Sequence, residues 1–112
     1  MDEPRRVLFV CRRNRHRSAT AERLFRTRPD LDVRSAGTSR EALVRVNRRM
    51  IEWADVIFVM DEKERGALAR MFPQHPALER VVCLEIADEF GFLDGELVRL
   101  LETRVEAYLN SR

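Results

Sequence analysis

Four consecutive apolar residues, Val7 to Val10, run straight into Cys11, an arginine-rich polar stretch and then the helix-forming run Ser18-Ala-Thr-Ala-Glu-Arg-Leu-Phe25. A short apolar run of this kind reads as a strand buried on both faces, as in a parallel sheet. The residues after Cys11 then join the carboxyl end of a strand to a helix N-terminus. Backbone N–H groups there lack intrahelical partners and the helix dipole presents its positive end. Such a junction is an anion site.

The rest of the chain repeats the alternation of strand and helix. The spacing predicts a helix from Ser18 to about Arg28, with Ser18 as N-cap and Ala21, Leu24 and Phe25 on one face. Leu31 to Ser35 is a second strand, Ala36-Gly37-Thr38 a turn, and 39–46 a charged connection of undefined structure. Asn47 caps a helix carrying Met50, Ile51 and Ala54 on one stripe with Trp53 beside it, and Val56 to Met60 is a third buried strand. Asp61-Glu62-Lys63-Glu64 opens a helix in the manner of a capping box, with Leu68, Met71 and Phe72 pointing inward. Pro73 and Pro76 break it, Val81 to Ile86 is a fourth strand, and Asp94 caps a last helix striped by Leu97, Leu100, Leu101, Val105, Tyr108 and Leu109. This order predicts an α/β three-layer sandwich: a four-stranded parallel sheet with helices on both faces, joined by right-handed crossovers. Residues 1–112 are expected to form a single domain. Ligands of such sheets bind beyond the carboxyl ends of the strands, which gathers the loop after Cys11, the turn at Thr38 and the loop Asp88-Glu89-Phe90-Gly91-Phe92 at one edge.

Charge and cysteine content narrow the function. Residues 1–28 hold 9 Arg against 3 acidic residues, a balance of +6, while the remainder carries −4, so the overall +2 conceals a basic end that contains the anion loop. Nucleic-acid binding is disfavoured, because aromatic residues make up only 7%, no helix-turn-helix or RNA-binding signature is present, and nearly all the basic residues are Arg throughout the chain. No apolar run approaches a membrane span or a signal peptide's core, so the expectation is a cytoplasmic protein without a membrane partner. The two cysteines, Cys11 and Cys83, have neither disulfide-framework density nor zinc spacing; no metal or cofactor is expected, and a free thiol fits a reducing compartment.

Within the loop, Cys11 sits where a helix dipole and guanidinium groups stabilise a thiolate, conditions that lower a thiol pKa from about 8.5 to roughly 3.5–7.5. Arg17, six positions on, offers a planar fork of donors matching two phosphate oxygens. Cysteine, five residues, arginine, serine is the phosphate-cradling signature of cysteine phosphatases. In a chain this rich in arginine the Cys-to-Arg spacing alone is weak, and the following Ser18 lowers its chance occurrence to about one in a hundred. Arg17 and the main-chain N–H groups of Arg12, Arg13, Asn14, Arg15, His16 and Ser18 would bind the equatorial oxygens of a phosphoryl group. Ser18 also suits a hydrogen bond to the thiolate, and Asn14 suits a left-handed turn that brings amides inward. Asp88 is the candidate general acid, with Glu89 and Asp94 as competitors. Phe90 and Phe92 are candidates for walling an aromatic leaving group or for ordinary core packing.

Val7-Leu-Phe-Val-Cys11, Asn14, Arg17-Ser18 and Ala21-Glu22 resemble the opening of the low-molecular-weight protein tyrosine phosphatases. Arg34-Ser-Ala-Gly-Thr38, Ala54-Asp-Val-Ile-Phe-Val-Met-Asp61 and Asp88-Glu-Phe90 resemble later segments of that family, in the same order. The resemblance implies a phosphatase-type anion loop after the first strand, hydrolysis through a phosphocysteine, catalytic roles for Cys11, Arg17 and Asp88, and a serine at Ser35 that braces the loop through Asn14. It implies a phosphotyrosine protein or small aryl phosphate as substrate, and a monomer or weak dimer. Arg13 stands where the family has a small glycine, and His16 where many members have a second, protective cysteine. Two other readings share the fold and loop: an arsenate reductase, for which only Cys83 remains as a redox partner, and a module that binds phosphate or phosphotyrosine with little turnover.

Overall fold

A computed structural model describes residues 3–111. Four parallel strands, β1 (Arg5–Cys11), β2 (Leu31–Gly37), β3 (Val56–Val59) and β4 (Val81–Cys83), form one sheet in the order β2-β1-β3-β4. Val7, Phe9, Val56 and Phe58 face one layer, built by α1 (Arg17–Phe25) and α4 (Gly95–Asn110). Leu8, Val10, Ile57 and Val59 face the other, built by α2 (Arg48–Trp53), α3 (Glu62–Met71) and a 3₁₀ turn at Pro76–Arg80. The three-layer α/β arrangement is the one the alternation predicts. β1, central and wholly buried from Val7 to Val10, has no solvent-facing side, which explains its unbroken apolar run.

The two layers are fastened differently. Phe25 and Phe58 stack on Phe9 with centroids 5.8 and 5.4 Å away, and Tyr108 meets Phe58 edge-on at 5.3 Å, so one aromatic row joins α1, β1, β3 and α4. On the opposite side Arg80 donates to the carbonyls of Ile51 and Ala54, satisfying the end of α2. Asn47, Asp61 and Asp94 cap α2, α3 and α4 as expected, each accepting main-chain N–H bonds from the first turn.

Several boundaries differ from the sequence expectation. α1 begins at Arg17 and ends at Phe25, short of Arg28. His16 occupies the N-cap position without a side-chain cap bond, and the Ser18 hydroxyl is engaged in the anion loop instead of capping the helix. β2 runs on to Gly37, because main-chain pairing with β1 continues past the apolar residues. β4 stops at Cys83, although Leu84 N and Ile86 N still donate to Val59 O and Met60 O. The interruption is Glu85, whose φ of 56° takes it out of extended geometry. Glu64 turns inward and is buried, leaving Asp61 to cap α3 without the reciprocal half of a capping box. Among the described residues no helix is long and apolar enough to cross a membrane.

Candidate active site

The loop between β1 and α1 is held in shape from outside by main chain. Thr38 N, Ser39 N and Leu43 N donate to the carbonyls of Cys11, Arg12 and Arg13 at 3.0, 2.9 and 3.1 Å. In a trans peptide the N–H points opposite to the carbonyl, so fixing three successive carbonyls outward turns the N–H groups of Arg12, Arg13 and Asn14 inward. Asn14 N accordingly lies 3.3 Å from Cys11 Sγ and donates to it. Thr38 and the first part of the segment 39–46, undefined in the sequence, supply this brace. Gly37 permits it: a Cβ there would lie 2.6 Å from Arg12 O and 2.7 Å from the Ala42 Cβ.

Inside the loop Asn14 takes a φ of 59°, in the left-handed region that asparagine tolerates. Its side-chain amide donates to Ser18 Oγ at 2.8 Å and to Ser35 Oγ at 2.9 Å, and Ser35 in turn donates to Glu22. Ser18 Oγ stands 2.9 Å from Cys11 Sγ. Cys11, Asn14, Ser18 and Ser35 are all buried, so this network sits where hydrogen bonds are strengthened by low dielectric.

Arg17 is 2% exposed, yet it lines a cavity of about 500 Å³ together with Cys11, Arg12, Arg13, Arg15, His16 and the segment Asp88 to Gly91. Its Nη1 donates to Asp61 Oδ2 at 2.9 Å and to Ile86 O at 2.8 Å, and its Nε lies 3.6 Å from Asp88 Oδ1. The guanidinium is therefore held by Asp61, which follows β3, and by Ile86, which lies beyond β4, and Arg17 is at the same time part of the cavity lining. Asp61 was read only as a helix cap. It is both cap and anchor, and its place at the carboxyl end of β3, on the edge where the fold gathers its ligands, was the signal in the sequence.

Asp61 and Glu64 are a coupled pair of carboxyls. Burial of Glu64, reinforced by the Asp61 charge, pushes its carboxyl up to about 8. Desolvation works against Asp61 as well, and hydrogen bonds from Glu64 and Arg17 overcome it, holding Asp61 at about 2. Asp61 thus remains an anion beside Arg17, with an uncharged acid beneath it. One oxygen of Glu64 has no hydrogen-bond partner.

The loop from Leu84 to Asp94 brings acids to the cavity mouth. Arg104 of α4 donates to the carbonyls of Leu84 and Glu85, and Leu93 N donates to Thr20 Oγ1 at 2.9 Å, so both ends of the loop are tied down. Asp88, with 59% side-chain exposure, and Glu89 both line the cavity. Asp94 accepts from Glu96 N and Leu97 N as the cap of α4 and is not among the cavity residues. Phe90 lines the cavity and also packs on the core, whereas Phe92 is exposed and takes no part in the wall. Cys83 packs in the layer opposite to that of Cys11, and burial pushes its thiol up.

Comparison with known proteins bears on this geometry. Solved structures similar in fold include the YwlE arginine phosphatase of Geobacillus stearothermophilus, at 23% identity and a TM-score of 0.75 over 96% of this chain and 94% of that one. The low molecular weight protein tyrosine phosphatase of Streptococcus pyogenes aligns at 18% identity and a TM-score of 0.79 over 96% and 92%. Vibrio vulnificus Wzb, solved with benzylphosphonate, aligns at 20% and 0.79 over 96% and 99%. No curated protein sequence is a significant match. The sequence model described as low molecular weight phosphotyrosine protein phosphatase matches residues 6–54, the span from β1 through the loop and its brace to the end of α2. Over residues 6–54 this chain is thus similar in sequence to the low molecular weight phosphotyrosine protein phosphatases, and its fold is the one seen in these solved structures.

Proposed function

We propose that the chain is a protein tyrosine phosphatase that cleaves phosphate monoesters through a phosphocysteine. The observation that carries this reading is Cys11 Sγ beneath inward-facing loop amides, with Arg17 pinned beside it in the same cavity. Cys11 Sγ attacks phosphorus, an S–P bond forms and the ester P–O bond breaks, with the leaving oxygen taking a proton from Asp88. Arg17 and the N–H groups of the loop hold the equatorial oxygens as their charge is redistributed. Water then attacks phosphorus and gives its proton to Asp88. The S–P bond breaks, inorganic phosphate leaves, and the thiolate is restored under the Asn14 N–H and the Ser18 hydroxyl. Glu89, at the same mouth, is the competing acid. A free nucleophilic thiol suits a reducing compartment, which supports a cytoplasmic setting.

The arsenate reductase alternative requires a second thiol within reach of the first. Cys83, across the sheet from Cys11 and outside the cavity, does not favour it. The test is turnover of p-nitrophenyl phosphate, a phosphotyrosine peptide and a phosphoarginine peptide by the parent and by Cys11→Ser, Arg17→Ala and Asp88→Asn. Cys11→Ser is expected to abolish turnover, Arg17→Ala to lower kcat by about 10²–10³, and Asp88→Asn by about 10²–10⁴. Undiminished rates in Cys11→Ser would remove the covalent mechanism, and preference for phosphoarginine would move the substrate class.

A further inference from the structure

A second cavity, of about 390 Å³, adjoins the first, with Arg12 lining both. Its charged walls are Arg12, Lys63 and Arg70 on one account and Glu62 and Glu64 on the other. The acids are spoken for: Glu62 pairs with Arg65 at 3.0 Å, and Glu64 is buried against Asp61 with its carboxyl pushed up. The cations are not. Among the described residues Arg12, Lys63 and Arg70 form no ion pair, and all three are exposed. Gly66 leaves open the space beside the Arg70 guanidinium, which a side chain at that position would meet at 3.3 Å.

The mouth of the first cavity is polarised in the same sense. Asp88 and Glu89 stand on its wall with the loop from Leu84, whereas exposed Arg12, on the anion loop, leads into the second cavity. A polypeptide whose phosphate is seated over Cys11 therefore meets acids on one side and uncommitted cations on the other. Resting on the phosphatase reading above, we propose that the second cavity is a subsite for acidic side chains flanking the phosphorylated residue. The preferred substrate is then a phosphorylated protein segment with neighbouring carboxylates, engaged through Arg12, Lys63 and Arg70. Exposed pairs of this kind are individually weak and screened by salt, so they act on the capture of substrate more than on the chemical step.

The experiment compares kcat/KM for phosphotyrosine peptides flanked by Glu, by Ala and by Lys, at low and high salt, for the parent and for the Lys63→Gln, Arg70→Gln double variant. Both substitutions are on exposed positions of α3. Taking the ratio of acidic to neutral peptide cancels any loss common to both. The parent is expected to favour the Glu-flanked peptide by about tenfold at low salt, with the ratio falling toward one in high salt and in the double variant. Equal use of the three peptides, or a preference the double variant leaves intact, would overturn the subsite while p-nitrophenyl phosphate turnover upholds the phosphatase reading. A small bisphosphate favoured over its monophosphate, without any peptide preference, would overturn it in favour of a soluble ligand. If no substrate is hydrolysed at all, the phosphatase reading fails and the subsite with it.

Discussion

Glu64 is the residue whose burial is hardest to reconcile with an ordinary surface helix. It lies one turn into α3, almost wholly buried, with one oxygen unpartnered and an anionic Asp61 beside it. Its carboxyl is pushed from an ordinary 4.5 to about 8 by burial and by the Asp61 charge. The folded protein therefore holds this proton over a pH range in which the unfolded chain has released it. Where the native state binds more protons, stability falls as pH rises, here from about 4.5 until the folded-state group ionises near 8. Asp61, with its carboxyl held at about 2, acts in the opposite sense: its contribution is full above its unfolded value of 3.8 and is lost as pH falls toward 2. Glu64→Gln preserves shape and removes the titration. Denaturant unfolding of the variant should be flatter between pH 5 and 8.5, values that bracket the transition, and the variant more stable than the parent at the alkaline end by about 1–3 kcal/mol. Parallel pH curves for the two proteins would show that Glu64 does not titrate in that range.

At the scale of elements, the strand-loop-helix unit was legible because each part has a local cause: a doubly buried strand demands an apolar run, and a helix start after polar residues demands orphan donors. The caps at Asn47, Asp61 and Asp94 were legible for the same reason, since a side chain bonding its own first turn needs no distant partner. The brace at 38–43 was not. It acts through main-chain N–H groups, and its side chains, Leu43 among them, are largely exposed, so no residue type marks it. Ser18 was half legible: its bond to Cys11 was expected, but serine at a helix start also reads as a cap, and the hydroxyl is instead engaged by Cys11 and Asn14. Gly37 connects the two cases, because its missing side chain lets the brace and the anion loop touch. Gly37→Ala should destabilise by about 1–3 kcal/mol and lower kcat on p-nitrophenyl phosphate by roughly tenfold or more, since the loop amides lose their alignment. Wild-type kcat in a folded Gly37→Ala protein would mean that the brace does not set the amides.

For the molecule as a whole, the sheet order matters more than any one contact. β1 lies beside both β2 and β3, so the loop after β1 is flanked by the brace that follows β2 and by Asp61 that follows β3. The order of strands is not written in local propensity, so the sequence could place Asp61 on the ligand edge but could not pair it with Arg17, 44 positions away. The same topology places Cys83 and Cys11 in opposite layers and leaves the thiol in the cavity without a second thiol among the residues that line it. What the arrangement does give Cys11 is a ring of amides and a fixed guanidinium, the supports that a phosphoryl group on sulfur requires. The most direct measurement is to quench Asp88→Asn during turnover of p-nitrophenyl phosphate and map the adduct by mass spectrometry. The account predicts one phosphoryl group on the peptide containing Cys11, absent from Cys11→Ser; sustained turnover with no adduct, or with the phosphoryl group on another residue, would contradict it.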